Sequence, residues 1–194
     1  MQARASEYFL EKIRMTASAF IKTQHPGASA SPTEDNVRYY ASLGWHIQEK
    51  KNGRNTQIHI SEDSIEFFTR HGLKHSMKIS EKIRETLWRF FKPLKGVTVL
   101  EGEYVPAENR IYLFDIIKKD DQLFHNLTYG ERHEILKKDC PDIMDSSLRI
   151  LPLLSIQKAI EILLGKNKAE GLVFKSHVGK GFADYYIIRC RKKN

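Results

Sequence analysis

The sequence predicts an α+β fold built mainly from antiparallel sheets. Short runs with strand-like alternation outnumber helical stretches, and the two kinds interleave without the strand–helix–strand regularity of a doubly wound sheet. The chain has 194 residues, 41% of them hydrophobic and 29% charged, enough for one well-buried core.

An amphipathic helix is expected over residues 6–22, where Phe9, Ile13, Thr16, Ala17 and Phe20 recur at helical spacing. Residues 25–36, HPGASASPTEDN, are rich in Pro, Gly and Ser and read as a loop or linker. The domain division is therefore 1–36, helix and linker, and 37–194, the main domain. From Trp45 the chain turns to short strands, GWHIQEK, TQIHIS and SIEFFTR, separated by polar turns and read as an antiparallel meander. A helix over 79–91 places Ile79, Ile83, Leu87 and Phe90 or Phe91 on one face, and Pro93 closes it. Two strands follow, GVTVLEGEYV and NRIYLFDII, joined by a turn containing Pro106. Helices are expected over 128–138 and 155–164, each behind a Thr or Ser N-cap, with Gly165 ending the second. GLVFKS and ADYYIIRCR close the chain as strands around the turn VGKGF.

A formal net charge of +8 predicts attraction to polyanions, since Lys and Arg contacts to phosphate supply most non-specific nucleic-acid affinity. Cys140 and Cys190 belong to no zinc-ligand pattern. With no membrane-length apolar run and no secretion signal, the expected compartment is the cytoplasm, or the nucleus in a eukaryote. The P-loop, HExxH, GxSxG and post-strand GxGxxG signatures are absent, which removes the activities they carry.

What remains is an ordered series of short segments: Gln48–Asn55 with Gln57-Ile58-His59; Leu100–Tyr104; Tyr112–Ile116; Glu170–Lys175; and Ile187–Lys192. Each has an ordinary explanation alone. Asn52-Gly53 between alternating strands signals a hairpin with a solvated lysine beside it, strand carboxylates face water, and a terminal RCRKK is a basic tail. Their order and spacing together argue otherwise.

From about Trp45 to Arg191 the chain resembles the covalent nucleotidyltransferase superfamily of polynucleotide ligases and mRNA-capping enzymes. Lys50-Lys51-Asn52-Gly53 is similar to the nucleophile motif KxDG or KxxG; the QIH that follows is typical of ATP-dependent DNA ligases, and Asn55 resembles RNA ligases. Phe68-Thr69-Arg70 resembles the strand with a Ser-Arg step, Glu101-Gly102-Glu103 the third motif, Tyr112–Ile116 the aromatic strand after it, and Thr128–Leu136 the ligase helix with its Glu-Arg pair. Glu170–Lys175, EGLVFK, is the most specific single match.

The resemblance implies an ATP-grasp-like nucleotidyltransferase core of mainly antiparallel sheets flanked by helices, without the C-terminal OB-fold, so that the chain is an excised domain or a minimal enzyme helped by a separate OB-fold domain or partner subunit. It implies an adenylation domain that forms lysyl-AMP on Lys50 from ATP with Mg²⁺ and joins nicked or broken nucleic acid, DNA preferred. Gln48 would read the adenine amino group, with Glu49, Gly53, Arg54 and Lys175 also at the nucleotide. Phe114 would stack on the base, Glu103 would face ribose or metal, and Glu170 would help hold the metal. Arg189 and Arg191 would grip the α-phosphate, and Arg70 a nucleic-acid phosphate or the AMP ribose.

Attack by lysine requires a neutral amine, and a crowd of cations, Lys51, Arg54, Lys175, Arg189 and Arg191, would favour one. Departures from the pattern are Gln48 where Glu is usual, Asn52, Asn55 with Arg54 one position early, and arginines for lysines at 189 and 191, which keep charge but not shape. The alternatives are an RNA ligase, a capping-type guanylyltransferase that uses GTP, or a catalytically silent nucleic-acid-binding module on the same scaffold.

Overall fold

The computed structural model describes residues 20–140, 147–165, 169–178 and 186–192. In chain order the elements are β1 (Ala28–Ala30), α1 (Glu34–Ser42), β2 (His46–Lys50), β3 (Arg54–Ile60), β4 (Ile65–Thr69), α2 (Glu81–Phe91), β5 (Thr98–Val105), β6 (Arg110–Lys119), β7 (Gln122–Leu123), α3 (Tyr129–Asp139), β8 (Leu148–Ile150), α4 (Ile156–Leu164), β9 (Gly171–Lys175) and β10 (Ile187–Arg191). They form the expected α+β arrangement of mainly antiparallel sheets. One sheet runs β1-β10-β9-β2; the other runs β4-β3-β5-β6-β7, with β8 parallel to β6.

Alternation along the strands assigns each sheet two faces. In the first sheet Ile47, Leu172, Phe174 and Cys190 are buried with Val37 of α1 and Ala159, Ile160, Ile162 and Leu163 of α4. In the second, Ile58, Ile60, Leu100, Ile111, Leu113 and Ile116 pack with Ile83, Leu87 and Phe91 of α2 and Leu136 of α3. The remaining faces bound a cleft. Helices α1, α3 and α4 begin where short polar side chains satisfy the first N–H groups: Thr33 accepts from Asn36, Ser155 from Lys158, and Thr128 with Glu131 forms a capping box.

The meander expected from Trp45 is corrected. β2 does not pair with β3; it pairs antiparallel with β9, more than a hundred positions away, while β3 pairs with β4 and β5. Asn52-Gly53 is thus a crossing between two sheets and closes no hairpin. Residues 25–36, expected as a loop, contribute β1 and the first turn of α1, and residue 36 lies inside that helix. β1 was invisible locally because Ala28-Ser29-Ala30 is only three small residues long and its parallel partner is the distant Ile188–Cys190. Of the helix expected over 6–22, only residues 20–22 are described, and they are irregular. The Gln57 side chain takes both backbone polar groups of Ile21, at 3.0 and 2.8 Å, in place of helical partners. Most of the VGKGF turn lies outside the described residues, of which no helix is long and apolar enough to cross a membrane.

Candidate active site

A cleft of about 830 Å³ lies between the two sheets. Its lining includes Gln48, Glu49, Lys50, Gly53, Arg54, Arg70, Glu103, Phe114, Lys175, Arg189 and Arg191, and Glu170 joins them through its ion pairs. Every residue singled out in the sequence is therefore at one site, drawn from both sheets.

Strand register sets the centre. Lys50 of β2 and Arg191 of β10 both pair with Gly171 of β9, so one row carries an amine, a gap and a guanidinium. Glu170 spans the gap: Lys50 Nζ donates to it at 2.6 Å and Arg191 Nε at 2.7 Å. The other wall supplies Glu103, which accepts from the Gly53 N–H at 3.0 Å. Burial raises the Glu103 pKa, the Lys50 charge and the Gly53 bond oppose the rise, and Glu170 adds to it. Glu103 and Glu170 thus sit close enough to feel each other. Two neighbouring carboxylates suit a hard cation that completes its shell with substrate phosphates and water, as Mg²⁺ does. Among the described residues no group of three or more His, Cys, Asp or Glu side chains is placed to hold a metal ion by itself.

Of the cations expected around Lys50, all line the same cleft, and several have partners of their own. Lys51 turns to Glu49 at 2.6 Å and lies 4.4 Å from the Tyr112 ring centre. Arg189 Nε donates to Ser29 at 2.9 Å. Arg191 shares Glu170 with Lys50, and Lys175 is buried deeper in the cleft. Pairing and alternation, rather than proximity in sequence, decide which charge meets Nζ, and the partner is a carboxylate.

A β-bulge aims Phe114. Asp115 pairs with Glu101 and Leu113 with Gly102, which leaves Phe114 as the extra residue of β6. Its carbonyl, freed from the ladder, accepts from the Tyr129 hydroxyl at 2.8 Å. Gln48 Nε2 donates to the Leu151 carbonyl at 2.9 Å, and Gln48 Oε1 accepts from Tyr129 at 2.7 Å. Arg70, in the turn after β4, is exposed at the rim, with Nε 3.0 Å from His71 Nε2, and Arg54 is exposed at the start of β3.

Several buried groups were not singled out as site residues. Arg132 of α3 makes a bidentate ion pair with Asp115 at 2.8 and 2.9 Å. His133 Nε2 lies 2.8 Å from the Leu151 carbonyl. Thr23, Glu101, Gln57 and His59 form a buried chain of hydrogen bonds. Their sequence signs were the Glu131-Arg132 pair, the carboxylate after Phe114, and QIH, none of which names a partner.

Gly53 is required by close approach. A Cβ there would overlap the Tyr104 carbonyl oxygen and lie 2.9 Å from Glu103 Cγ. Gly53→Ala is expected to lose about 1–3 kcal/mol of stability, read by denaturant titration, through displacement of β5 and Glu103.

Burial pushes Glu101 from 4.5 to about 7, opposed by hydrogen bonds from Thr23 and Gln57. Between these values the native state holds a proton that the unfolded chain has released, so Glu101's contribution to stability falls as pH rises from 4.5 towards 7. Glu101→Gln mimics the protonated form. Its stability relative to the parent should climb across that window, by at most about 1.4 kcal/mol per pH unit, and be flat below it in melts run at several pH values.

Two mainly antiparallel sheets that close on a lysine, its carboxylate partner and a bulge-borne aromatic ring have the architecture of a ligase nucleotidyltransferase core. The RNA ligase family profile matches residues 44–188, well over half of the chain. The chain belongs to the RNA ligase family. It is 23% identical over 172 residues to an mRNA-capping enzyme of African swine fever virus, which covers 84% of this chain and 18% of the viral protein. Its fold is similar to mycobacterial DNA ligase D complexed with ATP and MES (TM-score 0.56, 13% identity, 77% of this chain and 55% of that one). It is also similar to Pmar-Lig_PreS3 (TM-score 0.60, 15% identity, 93% of this chain and 49% of that one). The chain thus spans about half of these solved structures and a small part of the viral relative.

Proposed function

We propose that the chain is the adenylation domain of an ATP-dependent polynucleotide ligase, with Lys50 as nucleophile. The observation that carries this reading is the convergence on Lys50 of Glu170 at 2.6 Å, Arg191 through the same carboxylate, and the cleft-lining Glu103 and Phe114. In the reaction, neutral Nζ attacks the α-phosphorus of ATP, a P–N bond forms and the bond to pyrophosphate breaks. The proton Nζ must shed has an acceptor in Glu170. Arg189 and Arg191 bind α-phosphate oxygens, and Phe114 stacks on the base. Glu103 and Glu170 would hold Mg²⁺, which when bound neutralises charge on the phosphates. A 5′-phosphate oxygen of the nucleic acid then displaces Nζ, and a 3′-hydroxyl displaces AMP to close the strand; alignment and charge neutralisation govern both steps.

The nucleic acid is nicked or broken DNA in the reading taken from Gln57-Ile58-His59 and EGLVFK, and the family match carries RNA as the alternative. The viral capping relative favours a second reading, a guanylyltransferase. Incubation with α-labelled ATP and Mg²⁺ should label the wild-type protein and leave Lys50→Ala unlabelled. Label retained by the variant, or absent from the wild type, overturns the proposal, and labelling by GTP alone selects the capping reading.

A further inference from the structure

Two stretches of chain, at opposite edges of the first sheet, tie the walls of the cleft together. One is Lys51-Asn52-Gly53, which leaves the β2 edge directly for β3. The other is residues 20–30, which run from the second sheet to β1, the strand at the other edge. On the second sheet the Gln57 side chain takes both backbone polar groups of Ile21, as an adjoining strand would, and the Thr23 hydroxyl donates to the buried Glu101 carboxylate. Phe20 packs against Phe68, with ring centres 6.4 Å apart. Gln24, His25 and Pro26 then line the cleft, and the His25 ring hydrogen-bonds the Arg70 backbone.

The far end of this segment meets Arg189. β1 pairs parallel with β10 and sets Ser29 opposite Arg189, while Val173 of β9 and Gln48 of β2 continue the same row across the sheet. Without β1, β10 would be an edge strand of five residues; with it, β10 is held on both sides. Ser29 Oγ accepts from Arg189 Nε at 2.9 Å, and the Ser31 carbonyl accepts from the Cys190 thiol at 3.4 Å. A guanidinium fixed through Nε keeps its orientation and presents its two Nη groups together, a pair of donors that a phosphate can take side by side. The partner of Arg189 among the described residues is a hydroxyl and not a carboxylate, so its charge remains for a ligand. Arg191, by contrast, spends its Nε on Glu170.

We propose that residues 20–31 are a positioning strap for Arg189. Ser29 fixes the guanidinium, and the seat of the strap on Gln57 and Glu101 fixes how far β10 stands from the opposite wall, so that the Nη groups meet the α-phosphate of the nucleotide. Lys50 and Arg189 are thus set from opposite edges of one sheet, the nucleophile by the short link and the phosphate-binding arginine by the strap. Ser29 and Thr23 touch no substrate; they act through Arg189 as positioning residues. This inference rests on the nucleotide-binding reading above and deepens it, since it names what holds the phosphate grip in place.

The test is equilibrium binding of AMP and adenosine by calorimetry, because the two ligands differ only in the phosphate that Arg189 binds. Wild-type protein should bind AMP on the order of 100-fold tighter than adenosine. Ser29→Ala should cut that advantage about tenfold and Thr23→Val, on the other wall, about threefold, each with adenosine affinity unchanged. Ser29→Thr keeps the hydroxyl and should restore the advantage. In an Arg189→Ala background neither Ser29→Ala nor Thr23→Val should weaken AMP further. A merely structural role would weaken both ligands alike and would persist without Arg189. An AMP advantage that either variant leaves at the wild-type value, the same loss in the Arg189→Ala background, or equal binding of the two ligands by wild-type protein overturns the strap and leaves the nucleotide site standing. Binding of neither ligand removes both.

Discussion

Asp115→Ala is expected to lower stability by about 3–5 kcal/mol, because it strands a guanidinium that has no access to water. The Arg132 and Asp115 side chains are 0% and 1% exposed, so solvent cannot take over the lost contact. Asp115 Oδ1 also accepts from the Ile116 N–H at 2.9 Å, and Arg132 Nη1 donates to the Leu127 carbonyl at 2.8 Å. The pair therefore joins β6, α3 and the loop before that helix. In a domain of this size the loss corresponds to a fall in Tm of roughly 10 °C, measurable by calorimetry. The double variant Asp115→Leu, Arg132→Met should recover a large part of it, since apolar residues of similar volume remove the stranded charge. A single variant that melts with the parent would show that water reaches Arg132 after all.

Gly171→Ala is expected to be comparably severe, with loss of the Lys50 adduct as well. Gly171 has φ near +152°, and an added Cβ would overlap the Cys190 carbonyl oxygen and lie 2.9 Å from Arg191 Cα. These are backbone atoms of the paired strand, so no side chain can swing aside. The strands β9 and β10 must separate, at roughly 3 kcal/mol or more, and the row that sets Glu170 between Lys50 and Arg191 opens. The informative comparison is with Lys50→Ala, which removes the adduct and should leave the melt nearly unchanged. Normal labelling by Gly171→Ala would mean that the row does not need its gap.

The sequence made the elements legible where pattern and caps agree. The α3 and α4 helices begin one residue after their caps at Thr128 and Ser155, and β5, β6 and β9 stand where alternation placed them. The candidate site residues were selected through order and spacing, and they share one cleft. Pairing was not legible: the hairpin reading of Asn52-Gly53 is locally sound, but β9 offers β2 a better edge from far along the chain. The carboxylate partner of Lys50 was hidden for the same reason: Glu170 is 120 residues away, and only the pairing of β2 and β9 brings it to Nζ. The Phe114 bulge was equally hidden, because an extra residue exists only relative to a partner strand.

The link Lys51-Asn52-Gly53 joins the walls of the cleft directly after Lys50. A link this short carries Gly53 onto the opposite wall within three residues of Lys50, and there the Gly53 N–H is held by Glu103 at 3.0 Å. Backbone covalency, rather than packing alone, therefore limits how far the Lys50 backbone can move from that carboxylate.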